Sequence, residues 1–375
     1  MSEKHLNIIS FDHPYPANYG GVIDVFYRIK SLHLQGVKIH LHCFYKNDLE
    51  RNEELEKHCE SIHFYARKKG LSSFFSMTPY IVKSRKSDEL LQNLLKNKHP
   101  ILFEGIHTTA LIHHPKLKNR FKIYRPCNIE HHYYLSLFWA SRRIMEKPYF
   151  LSESFKLKFY QNRLKHADAM LAITDKDKYY LQDVFPDHKV ILLPGFYPGD
   201  ETGIISGKGD YALYHGNLGV AENSKAVRFL IKKVFSKTNY PLTIAGFSPD
   251  KQLIKLISKH SHIRLVQNPD EQELTKLLQG AQMNLMFTFQ ATGLKLKLLY
   301  ALNFGRFCMA NNKMLDGSRL NKHCLKAESP DEILALIEEY KDQEFTLADI
   351  KERMNHLPLI YSNKKNAEII VDLLA

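Results

Sequence analysis

The chain has 375 residues, 44% of them hydrophobic, so it is long for one domain and sufficient for two domains with ordinary cores. It carries 53 Lys and Arg against 40 Asp and Glu, and most of the excess lies in residues 1–190, which hold 30 basic and 20 acidic side chains. No apolar run reaches the roughly 18–20 residues of a membrane span, and the N-terminus lacks a signal-peptide pattern, so neither a membrane-spanning nor a secreted protein is expected.

The five cysteines are scattered and form no Cys-x-x-Cys motif and no Cys/His spacing typical of a metal site. A cytoplasmic protein with reduced thiols is therefore expected. The basic excess of the first half favours an anionic partner, such as a membrane surface or a phosphorylated acceptor, although a plainly solvated surface is the alternative. Nucleic acid is not expected as a partner, because no nucleic-acid-binding motif is present and the second half is nearly neutral.

In chain order, the first half alternates strand-like apolar segments with amphipathic, helix-like ones. Its predicted strands are 6–11, 38–44, 100–104, 121–125 and 169–174, and its predicted helices are 21–34, 87–96 and 153–166. The second half repeats the pattern with strands at 211–215, 241–245, 263–267, 283–287 and 308–311, and helices at 224–233, 271–279, 331–340 and 363–374. Such alternation predicts parallel sheets with helices on both faces. Pro and Gly cluster at 193–199, where we place the domain boundary.

Two helix starts are predicted from capping residues. Thr174 and Asp177 have the spacing of an N-cap and an N3 residue, so a helix is expected to begin there. Asn223 or Ser224 is expected to cap the next predicted helix.

Residues 292–305 are the most informative segment of the chain. They read Thr-Gly-Leu-Lys-Leu-Lys-Leu-Leu-Tyr-Ala-Leu-Asn-Phe-Gly, which predicts a helix that Gly293 opens and Gly305 ends. Free backbone N–H groups and the helix dipole attract anions to such a start, and Lys295 and Lys297 add two positive charges. A phosphate or diphosphate ligand is predicted. The alternative is a pair of ordinary solvated lysines.

This segment also resembles the donor-nucleotide motif of GT-B glycosyltransferases of the family 4 type, in the variant Gly-(Ile/Leu)-Lys-x-Lys-Leu-Leu-Glu-Ala-x-x-x-Gly. The matching residues are Gly293, Leu294, Lys295, Lys297, Leu298, Leu299, Ala301 and Gly305. The chain departs from the motif at Tyr300, where the family's Glu holds the ribose, and at Gln290, where the family has a second acidic residue.

The resemblance implies an α/β fold of two Rossmann-like, doubly wound domains that face each other across a cleft. On this basis we assign residues 1–192 to an acceptor-side domain and 193–355 to a nucleotide-sugar donor domain. Residues 356–375 are assigned to a C-terminal helix that packs back on the first domain.

Two further segments resemble donor-binding loops of the same family. Gly20 and Gly21 precede a helix in a Pro-x-x-x-Gly-Gly-like loop with Tyr19, and Gly216 and Asn217 follow the first strand of the second domain. Because many relatives have Arg or Lys where this chain has Asn217, Lys295 and Lys297 would supply more of the charge. The complete predicted donor set is Gly20, Gly21, Gly216, Asn217, Gln290, Thr292, Gly293, Leu294, Lys295, Lys297 and Tyr300.

The predicted catalytic residues are His107 and Glu130. His107 follows a buried strand, and a His at the matching family position contacts the donor sugar; here it could hydrogen-bond a hydroxyl or carry positive charge. Glu130 and His131 lie in a segment similar to the family's Asn-(Ile/Val)-Glu-His-x-Tyr-Tyr. Tyr19, Glu104 and His131 are assigned to the acceptor side. For Glu104 and Glu130, a carboxylate held within the fold is the alternative.

The resemblance implies transfer of a sugar from a nucleotide diphosphate sugar to an acceptor hydroxyl, with retention. The one Asp-x-Asp spacing, Asp175-Lys176-Asp177, lies at the predicted helix start and is assigned to capping, so neither a metal nor a cofactor is expected. The expected acceptor is a glycan or lipid-linked intermediate of bacterial surface polysaccharide, with membrane contact through the basic first domain. The alternatives are a GT-B protein that binds nucleotide sugars without transferring them, which Tyr300 and Gln290 motivate, and a sugar-nucleotide epimerase.

Overall fold

The computed structural model of the chain describes residues 3–16, 20–46, 53–68, 76–141, 143–198, 202–289 and 296–374. These residues form two compact units. The N-terminal unit is built mainly from Gly21–Phe196 together with the chain from Asn363 onward, and the C-terminal unit mainly from Tyr197–Ser362.

The N-terminal unit contains a seven-stranded sheet whose described pairs are all parallel, in the order β3-β2-β1-β4-β5-β6-β7. Its strands are β1 His5–Ser10, β2 Lys38–Tyr45, β3 Ser61–Ala66, β4 Ile101–Glu104, β5 Lys122–Arg125, β6 Ala169–Ala172 and β7 Lys189–Leu192. Its helices are α1 Gly20–Leu34, α2 Glu53–Glu56, α3 Tyr80–Lys83, α4 Asp88–Leu95, α5 Glu130–Ala140, α6 Lys147–Tyr160, α7 Asp175–Val184 and the last helix of the chain, α15 Asn363–Leu373. Short 3-10 helices lie at Ile106–Leu111, Pro115–Leu117, Ile144–Glu146 and Gln161–His166.

Helices cover both faces of this sheet. Ile8 belongs to the same apolar cluster as Ile29 of α1 and Ile370 of α15, whereas its neighbour Ile9 belongs to a second cluster that includes Leu157 of α6. Successive strand residues point to opposite faces, so the two clusters lie on the two sides of the sheet. The sheet is therefore buried on both faces, as parallel sheets require.

The C-terminal unit contains a six-stranded sheet, also parallel in its described pairs, in the order β10-β9-β8-β11-β12-β13. Its strands are β8 Ala212–His215, β9 Leu242–Gly246, β10 Ile263–Gln267, β11 Met283–Met286, β12 Phe307–Ala310 and β13 Leu325–Lys326. Its helices are α8 Ala221–Phe229, which continues as a π-helix over Leu230–Phe235, then α9 Lys251–Ile257, α10 Glu271–Gly280, α11 Leu296–Phe304, α12 Asn312–Leu315, α13 Pro330–Tyr340 and α14 Leu347–Ile360. A 3-10 helix lies at Asn321–His323.

The predicted fold class, two doubly wound α/β domains, is confirmed by the strand order. In each unit the first strand lies inside the sheet, and the chain runs outward from it first in one direction and then in the other. The order changes direction between β1 and β4 and between β8 and β11. Ligands of such sheets bind outside the carboxyl ends of the strands at these switch points.

One of the two predicted helix caps is confirmed and the other is wrong. The Thr174 side chain accepts a hydrogen bond from the N–H of Asp177, as predicted. In the C-terminal unit, however, α8 begins at Ala221 with Val220 as its N-cap. The Asn223 amide donates to the carbonyl of Asn217 instead, so this side chain closes the preceding loop and does not cap the helix.

None of the helices in the described ranges combines the length and apolarity that crossing a membrane requires.

Candidate active site

The carboxyl edge of the N-terminal sheet collects polar and aromatic side chains from several strands. Phe11 follows β1, Arg67 follows β3, His107 follows β4 and Glu130 follows β5. Because the carboxyl ends of parallel strands meet at one edge, these residues share the region where ligands of this architecture bind.

His107 is held as a neutral imidazole at this edge. Its ring lies 5.4 Å from that of Phe11, and its Nδ1 is buried with no hydrogen-bond partner among the described residues. Burial, together with the charges of Arg85 and Arg67, lowers the pKa of His107 well below its usual value. Of the two predicted roles, the structure thus favours a hydrogen bond to a neutral hydroxyl over a positive charge near a diphosphate.

The turn before His107 requires glycine. Gly105 has a φ of 68°, and a Cβ at this position would lie 2.8 Å from Nδ1 of His107 and 3.1 Å from Sγ of Cys127. Any side chain would therefore be strained and would displace the imidazole. Gly105 fixes where His107 stands at the end of β4.

Arg85 is a buried positive charge beside His107. It is 4% exposed, and its guanidinium donates to the carbonyl of Phe11 at 2.8 Å and to that of Ile81 at 2.7 Å. These bonds hold its charge at the end of β1. Arg85 lies in the basic run Lys83-Ser84-Arg85-Lys86 and was not among the predicted site residues, so its position beside His107 was missed.

Glu130 begins α5 and has the acid–base properties of a proton-transfer group. It is 6% exposed, and burial raises its pKa to about 7, although a hydrogen bond from Asn128 and the charge of Arg85 oppose the rise. Its Oε1 is buried without a hydrogen-bond partner in the part of the chain that the structure describes. A carboxyl group that titrates near neutrality can accept or donate a proton at physiological pH.

His131 lies beside Glu130 in the same small cavity, so the structure brings these two predicted residues together. The cavity is lined by Ile106, Tyr124, Asn128, Ile129, Glu130, His131, Leu157, Gln161, Leu164, Tyr180 and Leu181. Burial and the neighbouring His132 lower the pKa of His131 to about 4, and its Nε2 lies 3.4 Å from the Tyr180 hydroxyl. His131 is therefore a neutral, hydrogen-bonding group.

Glu104, by contrast, belongs to a buried ion-pair network. Its carboxylate is 1% exposed and pairs with Arg28 of α1. Arg28 also pairs with Asp24, which accepts hydrogen bonds from Arg125 at 3.1 and 3.2 Å and from the N–H of Phe196 at 2.7 Å. The network ties α1 to the ends of β4 and β5. This placement favours the structural alternative for Glu104 over a role toward the acceptor.

The glycine pair predicted to approach the donor lies at the start of α1. Gly20 is exposed, and a Cβ there would meet no atom within 4 Å, so the backbone faces open space. Tyr19, assigned to the acceptor side, lies outside the described residues.

In the C-terminal unit, the loop after β8 approaches the end of β9 very closely. Gly216 has a φ of 151°, and a Cβ on Gly246 would lie 1.9 Å from its carbonyl oxygen. The side chain of Asn217 accepts a hydrogen bond from the N–H of Gly219 at 3.0 Å. Asn217 therefore stabilises the turn, where a longer cationic side chain would reach outward.

Lys297 brings a positive charge to this loop. Its ammonium group donates to the Tyr214 hydroxyl at 3.1 Å and to Oδ1 of Asn223 at 2.9 Å, and it lies 4.8 Å from the centre of the Tyr214 ring. Burial and the charge of Lys297 lower the pKa of the adjacent His215 to about 3. The predicted donor residues Gly216, Asn217 and Lys297 are thus gathered at the carboxyl end of β8, with Lys297 as the cation. The other members of the motif, Gln290, Thr292, Gly293, Leu294 and Lys295, lie outside the described residues.

Tyr300 packs within the C-terminal unit. It is 7% exposed, its hydroxyl lies 2.6 Å from Oγ1 of Thr275 and 3.4 Å from the carbonyl oxygen of Glu271, and its ring packs edge-on against Phe304. Burial raises its pKa to about 12, so it is a neutral phenol. The hydroxyl of Tyr300 links α11 to α10 by hydrogen bonding, at the position where the family has a ribose-binding Glu.

Replacing Tyr300 by Phe is expected to lower the free energy of unfolding by about 1 kcal/mol, the typical value of a lost buried hydrogen bond. Nucleotide-sugar affinity should change by less than about twofold, because the lost hydrogen bond joins two helices and does not contact the ligand. A loss of about 1.4 kcal/mol of binding free energy would correspond to a tenfold change. Chemical denaturation and calorimetric titration test both. Tyr211→Phe is a matched control, since the Tyr211 hydroxyl donates to the Leu277 carbonyl of α10 at 2.7 Å. A tenfold loss of affinity in Tyr300→Phe alone would show that Tyr300 binds the nucleoside.

One acidic residue at this edge was missed by the sequence analysis. Glu222 lies in the first turn of α8 and accepts a hydrogen bond from Thr288, which follows β11. The Thr288 carbonyl in turn accepts from the Asn311 amide at 2.7 Å. Glu222 was not among the predicted site residues, although segment 221–224 resembles part of the family's first donor-domain loop.

Comparison with solved structures identifies the class of fold. Sucrose-phosphate synthase from Thermosynechococcus elongatus superposes with a TM-score of 0.68 at 14% identity, covering 99% of this chain and 98% of that one. S. aureus TarM, solved with UDP, α-GlcNAc-glycerol and fondaparinux, gives 0.66 at 11% identity and covers 100% of both chains. An E. coli trehalose-6-phosphate protein bound to UDP-2-fluoro glucose gives 0.62 at 10% identity, with 99% of both chains covered. The chain has the fold of GT-B glycosyltransferases, which confirms the fold that the sequence resemblance implied.

Sequence comparison adds one relative. A Klebsiella pneumoniae protein described as an uncharacterized 44.6 kDa protein in the cps region is 25% identical over 346 residues, covering 87% of this chain and 88% of that protein. The sequence matches no protein-family model.

Proposed function

We propose that this protein is a glycosyltransferase that moves a sugar from a nucleotide diphosphate sugar to an acceptor hydroxyl. The observation that carries the proposal is Lys297, a cation held 2.9 Å from Asn223 beside the Gly216 loop at the switch point of the C-terminal sheet. The ammonium group of Lys297 would stabilise the negative charge that a diphosphate bound there develops as the sugar departs. The similarity to structures solved with UDP or a UDP-sugar supports the same assignment.

In this scheme the N-terminal unit binds the acceptor. His131, a neutral imidazole, hydrogen-bonds an acceptor hydroxyl, and His107, also neutral, hydrogen-bonds a hydroxyl of the donor sugar. Glu130 exchanges a proton with the acceptor hydroxyl near pH 7. Transfer proceeds with retention, as the family resemblance implies, and without a metal ion, because Lys297 supplies positive charge for the diphosphate. Addition of Mg²⁺ or Mn²⁺ should therefore leave the rate unchanged. The similarity to a protein of a cps region supports surface polysaccharide synthesis as the setting.

A panel of nucleotide sugars tests the proposal. The full-length protein should bind one of them and release its nucleoside diphosphate. Binding without release, with any acceptor or with water, would favour the non-catalytic alternative, which the packing of Tyr300 in place of the usual Glu supports. Conversion of the donor to an isomeric nucleotide sugar would identify an epimerase.

The α5–α6 hairpin supports the proposed contact with an anionic membrane surface. Its exposed apolar side chains, which we call the apolar patch, are Leu135, Trp139, Ile144, Met145, Phe155 and Phe159, between 37% and 91% exposed. The exposed basic residues Arg143 and Lys158 accompany them. Apolar side chains beside basic ones suit the interface of an anionic bilayer, where each Lys or Arg contributes about 1 kcal/mol.

Trp139 makes this contact directly measurable, because it is the only tryptophan in the chain and is 73% exposed. Its fluorescence should shift to shorter wavelength with vesicles of anionic lipid and not with neutral phosphatidylcholine. Met145→Glu should weaken vesicle binding about tenfold, as loss of roughly 1.4 kcal/mol implies. Leu34→Glu on α1, 70% exposed, is the control and should bind normally. Equal binding to neutral vesicles, or an unaffected Met145→Glu, would contradict the proposed contact.

A further inference from the structure

Three histidines meet at the amino-end edge of the N-terminal sheet, the edge opposite to His107 and Glu130. His5 is the first residue of β1, His40 is the third residue of β2, and His99 lies two residues before β4. Because β1 pairs with both β2 and β4, the three side chains come from adjacent positions along this edge.

The three imidazoles are close enough to share one metal ion. One ring nitrogen of each residue lies within 4.8 Å of the other two, and Nδ1 of His5 is 3.2 Å from Nε2 of His40. Zinc–nitrogen bonds of about 2.0–2.1 Å at a tetrahedral angle place two ligand nitrogens roughly 3.3–3.4 Å apart. The His5–His40 pair therefore already has the spacing of two ligands of one ion. The rings are nearly parallel, with interplanar angles of 8° to 13°, and because the lone pair of an imidazole nitrogen lies in the ring plane, at least one ring rotates when the ion binds.

One of the three rings is also oriented by a group of the kind that surrounds metal sites. Nδ1 of His40 lies 2.9 Å from Oγ of Ser61, which leaves Nε2 for a metal. Nε2 of His5 lies 3.7 Å from the carboxylate of Glu3, which is beyond hydrogen-bond distance, so Glu3 contributes charge only. A hydroxyl or carboxylate bonded to the far nitrogen fixes the tautomer of a metal-binding histidine.

The third ring is placed through its backbone. The His99 N–H donates to Oδ1 of Asn97 at 3.1 Å, and its carbonyl accepts from Arg120 at 2.9 Å and from Asn7 at 3.3 Å. The nearby Arg120 also donates to the carbonyls of Leu94 and Asn97, so its charge is directed at carbonyl oxygens.

The charge of the cluster suits metal binding. A histidine binds a metal ion through the lone pair of a neutral ring nitrogen. Glu3 and Glu60 supply negative charge nearby, with Glu60 itself 3.4 Å from Lys38. Neutral imidazoles are preferred by zinc and by similar borderline divalent ions.

We infer that His5, His40 and His99 form a site for one divalent transition-metal ion of the zinc type. The ion would join β1, β2 and the segment before β4 at the edge away from the candidate active site. Its role is therefore to stabilise the N-terminal unit, with no part in sugar transfer.

Titration of the full-length protein, first stripped with a chelator, tests this site. Calorimetry with Zn²⁺ should show one saturable site per chain, Co²⁺ should give the absorption of a tetrahedral complex, and Zn²⁺ should raise the melting temperature. His40→Ala and His99→Ala should each weaken Zn²⁺ binding by at least about 100-fold, and Ser61→Ala by about 10- to 100-fold.

The control variant is His114→Ala, which removes another histidine of the same unit, one that accepts from the N–H of Lys116. It should bind Zn²⁺ like the wild type. Circular dichroism without metal shows whether each variant folds, and His99→Asn replaces any that does not. Absence of stoichiometric binding to the wild type, or unchanged affinity in folded His40 or His99 variants, would show that the cluster is a metal-free imidazole stack.

Discussion

Replacement of Lys297 by methionine is expected to reduce the rate of sugar transfer by about 10²–10³-fold. In enzymes, removal of one group that stabilises a developing negative charge typically has an effect of this size. The ammonium group is the only part of the side chain that differs strongly from methionine, so packing against the Tyr214 ring is largely kept. The effect should fall mainly on kcat, because the charge on the diphosphate grows as the sugar leaves.

The matched control for this variant is Lys225→Met. Lys225 lies on α8 of the same unit, and its ammonium group also sits over an aromatic ring, that of Phe289, at 4.9 Å. Its replacement should leave transfer unchanged. If Lys297→Met and Lys225→Met both transfer at the wild-type rate, Lys297 does not stabilise the leaving diphosphate.

Replacement of Glu130 by glutamine is expected to remove a titration near pH 7 from the transfer rate and to lower that rate by at least about 10², the usual contribution of a general acid or base. In the wild type, the rate should change with an apparent pKa near 7, since burial raises the pKa of Glu130 to about this value. Glu153→Gln is the control, because Glu153 is 2% exposed but bonds to Lys156 and to the N–H of Tyr80.

The same substitution should change stability in a pH-dependent manner. The Glu130 carboxyl ionises near pH 4.5 in the unfolded chain and near pH 7 in the folded protein. Its contribution to the free energy of unfolding therefore falls as the pH rises from about 4.5 to about 7 and is constant at higher pH. Glu130→Gln should therefore be more stable than the wild type at pH 8, by about 3 kcal/mol, and not at pH 4. Denaturation at both pH values measures this. A stability effect with an unchanged pH–rate profile would show that Glu130 is structural.

The sequence predicted the strands β4, β5 and β6, which are buried along their whole lengths. β4 and β6 are short and mainly apolar, whereas β5 begins with Lys122 and ends with Arg125. The edge strands β3 and β7, which are only partly buried, were missed. The helix expected at 153–166 begins earlier, at Lys147, because Pro148 is accommodated in its first turn.

Side-chain partners were harder to predict than backbone elements. The motif drew attention to Lys297, whose position on α11 follows from local pattern. The ion pair of Glu104 depends on Arg28, 76 residues earlier, and no spacing rule connects the two. The same holds for His5, His40 and His99, which the sheet brings together and which have no metal-site spacing in the sequence. Long-range pairing of this kind is set by topology.

The central claim is that the protein binds and uses a nucleotide diphosphate sugar. The most direct test is calorimetric titration of the full-length protein with a panel of UDP-, GDP- and dTDP-sugars, followed by detection of released nucleoside diphosphate by mass spectrometry. We predict saturable binding of one of them, with release of its diphosphate that is lost in Lys297→Met and kept in Lys225→Met. Failure of the wild-type protein to bind or cleave any member of the panel would contradict the proposed function.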